Sequence, residues 1–171
     1  DKPTAAEFLD RTHAYGDATC KYRYGMFLKR STGHIAREGR CGIPAGTLIA
    51  VGTFSNARKW IKNGKEIRSY EWTRFASLPC LRISGGMGKI LNAFIEEVQP
   101  DDIMSYADLE WSEGTVYEQL GFRLEGKKDP VLFKVDSEWD RSPVKTGMTE
   151  GNLFSMNFGS NKYRLKLTEY E

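Results

Sequence analysis

Gly85-Gly86-Met87-Gly88-Lys89 places three glycines and a lysine directly ahead of an apolar stripe of helical period. Glycine lets the backbone approach a ligand closely and reach positive φ. The first turn of a helix presents unpaired N–H groups and the positive end of the dipole. Together these make an anion site for a phosphate or pyrophosphate, to which Lys89 adds a point charge. The spacing is not that of a Walker loop, which needs Gly-x4-Gly-Lys-Ser/Thr, and the glycines are too close for a dinucleotide-binding turn. The plainer alternative is a tight strand-to-helix turn. A second feature is Tyr117-Glu118-Gln119-Leu120-Gly121-Phe122, where Leu120 and Phe122 are core partners and Tyr117 alone reads as core filler with its hydroxyl toward solvent. Arg58, Lys59, Lys62, Lys65 and Arg68 surround Trp60. Cations mixed with an aromatic suit nucleic acid, and equally a solvated turn. His13 and His34 are isolated and Cys20, Cys41 and Cys80 form no Cys-x-x-Cys pair, so neither zinc nor a Ser/His/Asp arrangement is expected.

These groups need elements to hold them. Residues 4–14 read as a helix capped by Thr4, with Glu7 in a capping-box relation. Residues 20–28 alternate as a strand, and 30–46, rich in Gly, Ser and Arg, read as a loop. An apolar strand over 47–54 is followed by a basic turn over 56–66, where Asn63-Gly64 is a strong hairpin signal, and by a strand over 67–76 that pairs back. Met87, Ile90, Leu91, Phe94, Ile95 and Val98 form one stripe, so 86–98 is a helix, stopped by Pro100. A strand over 102–109, a short helix over 113–120 closed by Gly121, and strands at 122–125 and 131–135 follow. Phe154–Phe158 and Tyr163–Leu167 alternate on either side of Gly159-Ser160-Asn161, which reads as a terminal hairpin. The order predicts an α/β fold: a mixed, mostly antiparallel central sheet with helices on both faces.

The chain has 171 residues, a length that suits one domain, with 40% hydrophobic and 28% charged residues. Nine Phe, eight Tyr and four Trp argue against disorder. No apolar run is long enough to span a bilayer. An odd three cysteines point away from a disulfide framework and toward a reducing, cytoplasmic setting. The net charge of +2 sums +7 over residues 1–70, −7 over 71–140 and +2 over 141–171. Such segregation makes two electrostatic faces, or merely solubilises the fold. The sequence starts at Asp1 without Met and has no signal-peptide pattern, as in a trimmed chain.

Strand, Pro79, glycine turn, amphipathic helix, strand, and short helix with Tyr-Glu-x-Leu-Gly-Phe, taken together, resemble the GNAT superfamily of acetyl-CoA-dependent N-acetyltransferases. The resemblance covers a core over residues 47–136 of a single domain, with 137–171 as a C-terminal extension. It implies that the turn at Gly85, Gly86, Met87, Gly88 and Lys89 binds the coenzyme A pyrophosphate. Gly86 and Gly88 are the register that lets Lys89 and the apolar stripe follow as in the family helix. Backbone N–H groups near Phe75, Ala76 and Ser77 would hold the acetyl carbonyl and its oxyanion. Tyr117 would protonate the departing thiolate, and Glu71, on the strand before the turn, would be the base if buried, or a structural group if it pairs with a neighbouring Arg. Where the family often has Asn this chain has Glu110. Asp108, Glu110 and Glu113 would then either receive a cationic amine or form a solvated face.

Two functions are consistent with the resemblance. One is an acetyltransferase acting on a small-molecule or peptide amine by direct attack on acetyl-CoA. The other is a catalytically inactive GNAT-like binding domain, with nucleic acid as its candidate partner. Neither involves a membrane.

Overall fold

The computed structural model describes residues 1–36, 39–79, 81–144 and 153–170, with backbone alone for 33–36 and 39–41. The Cys41 side chain, Cys80 and part of the tail lie outside that description, and Cys20 is a free thiol. The chain divides into two compact units, Asp1–Ile103 with Leu167–Glu171, and Met104–Lys166.

The first unit opens with α1 (Lys2–Thr12). Its N-cap is Asp1, whose Oδ1 accepts the Thr4 N–H at 2.9 Å, and not Thr4 itself. Pro3 costs no bond in the first turn, so the helix begins two residues earlier than its capping-box reading. β1 (Tyr22–Phe27) pairs antiparallel with β4 (Leu48–Phe54). The stretch between them is not a plain loop: β2 (Thr32–Ala36) and β3 (Gly39–Ile43) pair from Thr32↔Ile43 to Ala36↔Gly39. Gly33, Gly39 and Gly42 remove the side-chain alternation by which a strand is recognised, while the backbone ladder needs no side chains. The basic turn is likewise mostly strand. β5 (Arg58–Lys62) runs into β6 (Lys65–Ser77) through Asn63 and Gly64, both at positive φ of 51° and 77°. β6 pairs with β5 in its first part and with β4 over Trp72–Ser77.

Two hydrophobic groupings hold this unit. Ala5 and Leu9 of α1 pack with Val51 and Ala76, flanked by Phe8 and Leu48. α2 (Gly86–Val98) coincides with the stretch expected from its stripe and buries Ile90, Leu91 and Phe94. The Phe94 ring stacks on Phe54 with centroids 3.9 Å apart and takes the edges of Tyr22, Tyr24 and Tyr70. Burying such a ring is worth about 2–3 kcal/mol. Asp101 and Asp102 fasten the returning chain end. Leu167 and Thr168 donate their amides to the Asp101 carbonyl, the Thr168 hydroxyl donates to Asp101 Oδ1 at 2.8 Å, and the Tyr170 hydroxyl donates to Asp102, which is fully buried.

β7 (Asp102–Asp108) begins in the first unit and continues into the second. There α3 (Thr115–Gln119), β8 (Arg123–Lys128) and β12 (Ser160–Lys166) follow in the hydrogen-bonded order β7-β12-β8. Gly121, at φ 88°, lies just past α3 as its left-handed cap position requires. β9 (Leu132–Val135), β10 (Arg141–Pro143) and β11 (Leu153–Met156) form a separate three-stranded sheet. The terminal hairpin is therefore a misreading: β11 pairs with β9, and β12 with β8. Burial decides this. Asn161 and Tyr163 of β12 are buried, whereas Leu153 and Met156 of β11 remain exposed, so alternation alone could not tell which strands belong together. For the same reason the strands at 122–125 and 131–135 do not pair with each other.

The whole is a mixed α/β chain whose main sheet is mixed and mostly antiparallel, seven strands in the order β1-β4-β6-β7-β12-β8 with β5 beside β6. Among the described residues no helix is long and apolar enough to cross a membrane.

Candidate functional site

The strongest sequence signal, the glycine turn, opens α2. Gly85 is its N-cap at φ 67°, exposed, and a Cβ there would meet nothing within 4 Å. That conformation is nearly free for glycine and strained for other residues. No side chain caps the helix. The Gly86 N–H donates to the Ile83 carbonyl at 3.3 Å, and the Lys89 N–H donates to the Gly85 carbonyl at 3.0 Å, the first intrahelical bond. Among the described residues the Met87 and Gly88 amides have no acceptor, and Lys89 is exposed beside them. Two open amides at the positive end of a 13-residue helix with a lysine alongside form an anion cradle, narrower by one amide than the turn promised.

On β6 the register sets Phe75 opposite Gly52, Ala76 opposite Val51 and Ser77 opposite Ala50. The Leu78 N–H donates to the Ile49 carbonyl, and amides alternate along a strand. The Phe75 and Ser77 N–H groups thus point to the edge of β6 away from β4. The Ala76 side chain is core, 7% exposed, which leaves only its backbone for a ligand. Glu71 takes the structural alternative. Its Oε2 is 3.0 Å from Arg58 Nη2, its amide donates to Ser55 Oγ, and its carbonyl accepts from the Ser55 N–H. Arg58 lies 13 residues away, across β5 and β6, so no local pattern announces it.

Lys59, Arg68 and Trp60 of the basic segment are similarly engaged. Lys59 pairs with Glu66 at 3.0 Å, Arg68 lies 4.0 Å from Asp101 and donates to the Gln99 carbonyl, and Trp60 packs its ring against Tyr170.

In the second unit Tyr117 stacks on Tyr163 and meets Phe122 edge-on, each with ring centroids 5.4 Å apart. Its hydroxyl accepts from Ser105 Oγ at 2.9 Å. Burial pushes the phenol pKa up, with the Ser105 bond acting the other way, so Tyr117 holds its proton at neutral pH. Ser105 was missed in the sequence, where a serine within an apolar strand carries no signal. The turn before α3 is pinned by the Glu113 carbonyl, which accepts from Tyr163 Oη at 2.7 Å and Asn161 Nδ2 at 3.1 Å. Gly114 there, at φ 92°, leaves no room for a Cβ against the Tyr163 ring and Ala107.

The acids do not form one open face. Asp108 Oδ1 accepts the Glu110 N–H at 2.9 Å and closes a turn. Glu110 is held by Arg141 Nη1 and Nη2, at 2.9 and 3.1 Å, with the guanidinium over the Phe133 ring. Glu113 is exposed. Arg141 comes from the tail, outside the stretch covered by the resemblance, and nothing in the sequence marked it as a partner of Glu110. Neither a protein-family model nor a curated protein sequence matches the chain.

Proposed function

We propose that this chain is an acetyl-CoA-dependent N-acetyltransferase of GNAT-like fold, acting in the cytoplasm on a small-molecule or peptide amine. The observation that carries the reading is the start of α2, with a left-handed, sterically open Gly85 and the Met87 and Gly88 amides without acceptors. The sheet with helices on both faces is supported on β4, where neighbouring residues point to opposite sides: Val51 packs with α1, and Gly52 lies against Ile90 of α2.

Bound acetyl-CoA supplies an acetyl group already activated as a thioester. The chain's own part is to bind, orient and move protons. The α2 amides and Lys89 hold the diphosphate, and the Phe75 and Ser77 amides are oriented as hydrogen-bond donors. Tyr117, kept neutral by burial, is the proton donor. Glu71 is not given the role of base, because Arg58 occupies its carboxylate.

Calorimetric titration with acetyl-CoA and with CoA tests this reading. Heat with saturation is expected for both, and silence at millimolar cofactor ends the proposal. Tyr117→Phe should lower turnover about a hundredfold while leaving CoA affinity unchanged. A cofactor-binding domain without transfer is the second reading, favoured by the ion pairs that occupy Glu71 and Glu110. CoA heat without acetyl transfer to a panel of amines would select it.

A further inference from the structure

We infer that the outer edge of β11 is a dimerisation edge, which pairs antiparallel with β11 of a second copy of this chain about a twofold axis through Ser155. β11 lies at one end of the small sheet β10-β9-β11. Four other strands at the margins of their sheets, β1, β5, β8 and β10, each carry an arginine, and β10 also ends on Pro143. Charge and proline keep an exposed edge from pairing with another chain. The Leu-Phe-Ser-Met of β11 has neither, and Asn157 and Phe158 continue it without charge.

The ladder with β9 decides which groups face outward. The Asn157 N–H donates to the Val131 carbonyl at 3.1 Å, in step with Met156↔Leu132. Bonded pairs alternate along an antiparallel ladder, so Leu153 and Ser155 turn their main-chain groups toward β9, and Phe154 and Met156 turn theirs away. The Leu132 carbonyl agrees, since it accepts from the Val144 N–H on the β10 side and not from Met156. Among the described residues no donor or acceptor answers the outward main-chain groups of Phe154 and Met156. The side chains of both share one face with Leu132, at 36%, 59% and 40% exposure.

Symmetry selects a second copy as the occupant. Strands that pair must set outward residue against outward residue, and a twofold axis must set the segment against itself. An axis through Ser155 meets both demands. Phe154 falls opposite Met156 of the second copy, each such pair exchanging both main-chain bonds, with apolar side chains together on one face and Leu132 flanking them. A charged strand paired with itself would bring like charges close, and β11 brings none. Lys134 shares the face one strand back, beside Phe154. One short strand and a few side chains per copy make a small interface, under about 1,200 Å² in total, so the dimer forms with rising concentration.

This inference is independent of the cofactor reading. Sedimentation velocity of the full chain from about 1 to about 300 μM tests it. The mass should rise from 19.4 kDa toward twice that value. Met156→Pro removes an outward N–H and no bond to β9, so association should weaken about tenfold or more while the urea midpoint holds. If that variant fails to fold, Met156→Lys serves in its place. Ile61→Lys, an equally exposed change on β5, should leave association as it is. Ser155→Cys should give a reducible covalent dimer under mild oxidation, well above wild type. The Cα atoms of a non-bonded antiparallel pair lie about 4.5 Å apart, within disulfide reach. CoA heats per chain should be the same in wild type and Met156→Pro. A monomer at every concentration, as when the edge takes a strand of a different protein, would overturn the inference. So would undiminished association in Met156→Pro and Met156→Lys, or no covalent dimer from Ser155→Cys beyond that of wild type.

Discussion

The β5–β6 hairpin and the β8–β12 pair are both built from strands rich in lysine and arginine, yet they differ in how charge is answered. In the hairpin each main cation has its own partner: Arg58 has Glu71, Lys59 has Glu66, and Arg68 has Asp101. In the β8–β12 pair one Glu125 serves two cations, Lys162 and Arg164, and the Lys128 ammonium lies over the Tyr106 ring. A basic stretch of sequence is thus not a basic surface. The stretch that looked basic is largely neutralised by acids that folding brings across the ladder. The pair whose cations share one acid has one strand in a segment of net charge −7 and the other in the tail.

The sharpest way to break this comparison is through the glycine that supports each region. Gly114→Ala should cost about 3 kcal/mol in urea unfolding. The left-handed backbone contributes about 1–2 kcal/mol, and crowding of Tyr163, which backs β12, contributes the rest. Gly64→Ala in the β5–β6 turn should cost only about 1 kcal/mol, since its φ of 77° is strained for alanine but nothing lies within 4 Å. Equal losses would mean that Tyr163 is not the prop described.

A smaller effect comes from protons. The hydrogen bond from Arg164, with help from Lys162, holds Glu125 at about 2, below its ordinary carboxylate value of 4.5. A depressed acid contributes stability that is fully present above its unfolded value. The contribution disappears as pH falls from about 4.5 toward about 2. Because Glu125 is more than a third exposed, screening limits it to about 0.5–1 kcal/mol. Glu125→Gln should remove that part of the acid slope in urea midpoints taken through this range. Smallest of all, Glu71→Gln should cost about 0.3 kcal/mol at neutral pH, because Arg58 is well exposed.

The same contrast explains what could be read from the residues in order. α2 was legible to its ends, because one apolar stripe, a glycine start and Pro100 all act within a few residues. Asn63-Gly64 announced its turn for the same local reason. β2 and β3 were not legible, because glycines supply ladder bonds without alternation. The partners of β11 and β12 were not legible either, because they are chosen by burial across tens of residues. At the candidate site the glycine cradle and Tyr117 were visible as residue types. What occupies the acids was not: Arg58 reaches Glu71 across 13 residues, and Arg141 reaches Glu110 across 31.

The fastening of Asp101 and Asp102 to Leu167, Thr168 and Tyr170 gives the second unit the character of an insertion, entered and left at one clasp. A single proteolytic nick between residues 104 and 166 would therefore not by itself free the tail end, whose last residues stay buttoned to the body that precedes the cut.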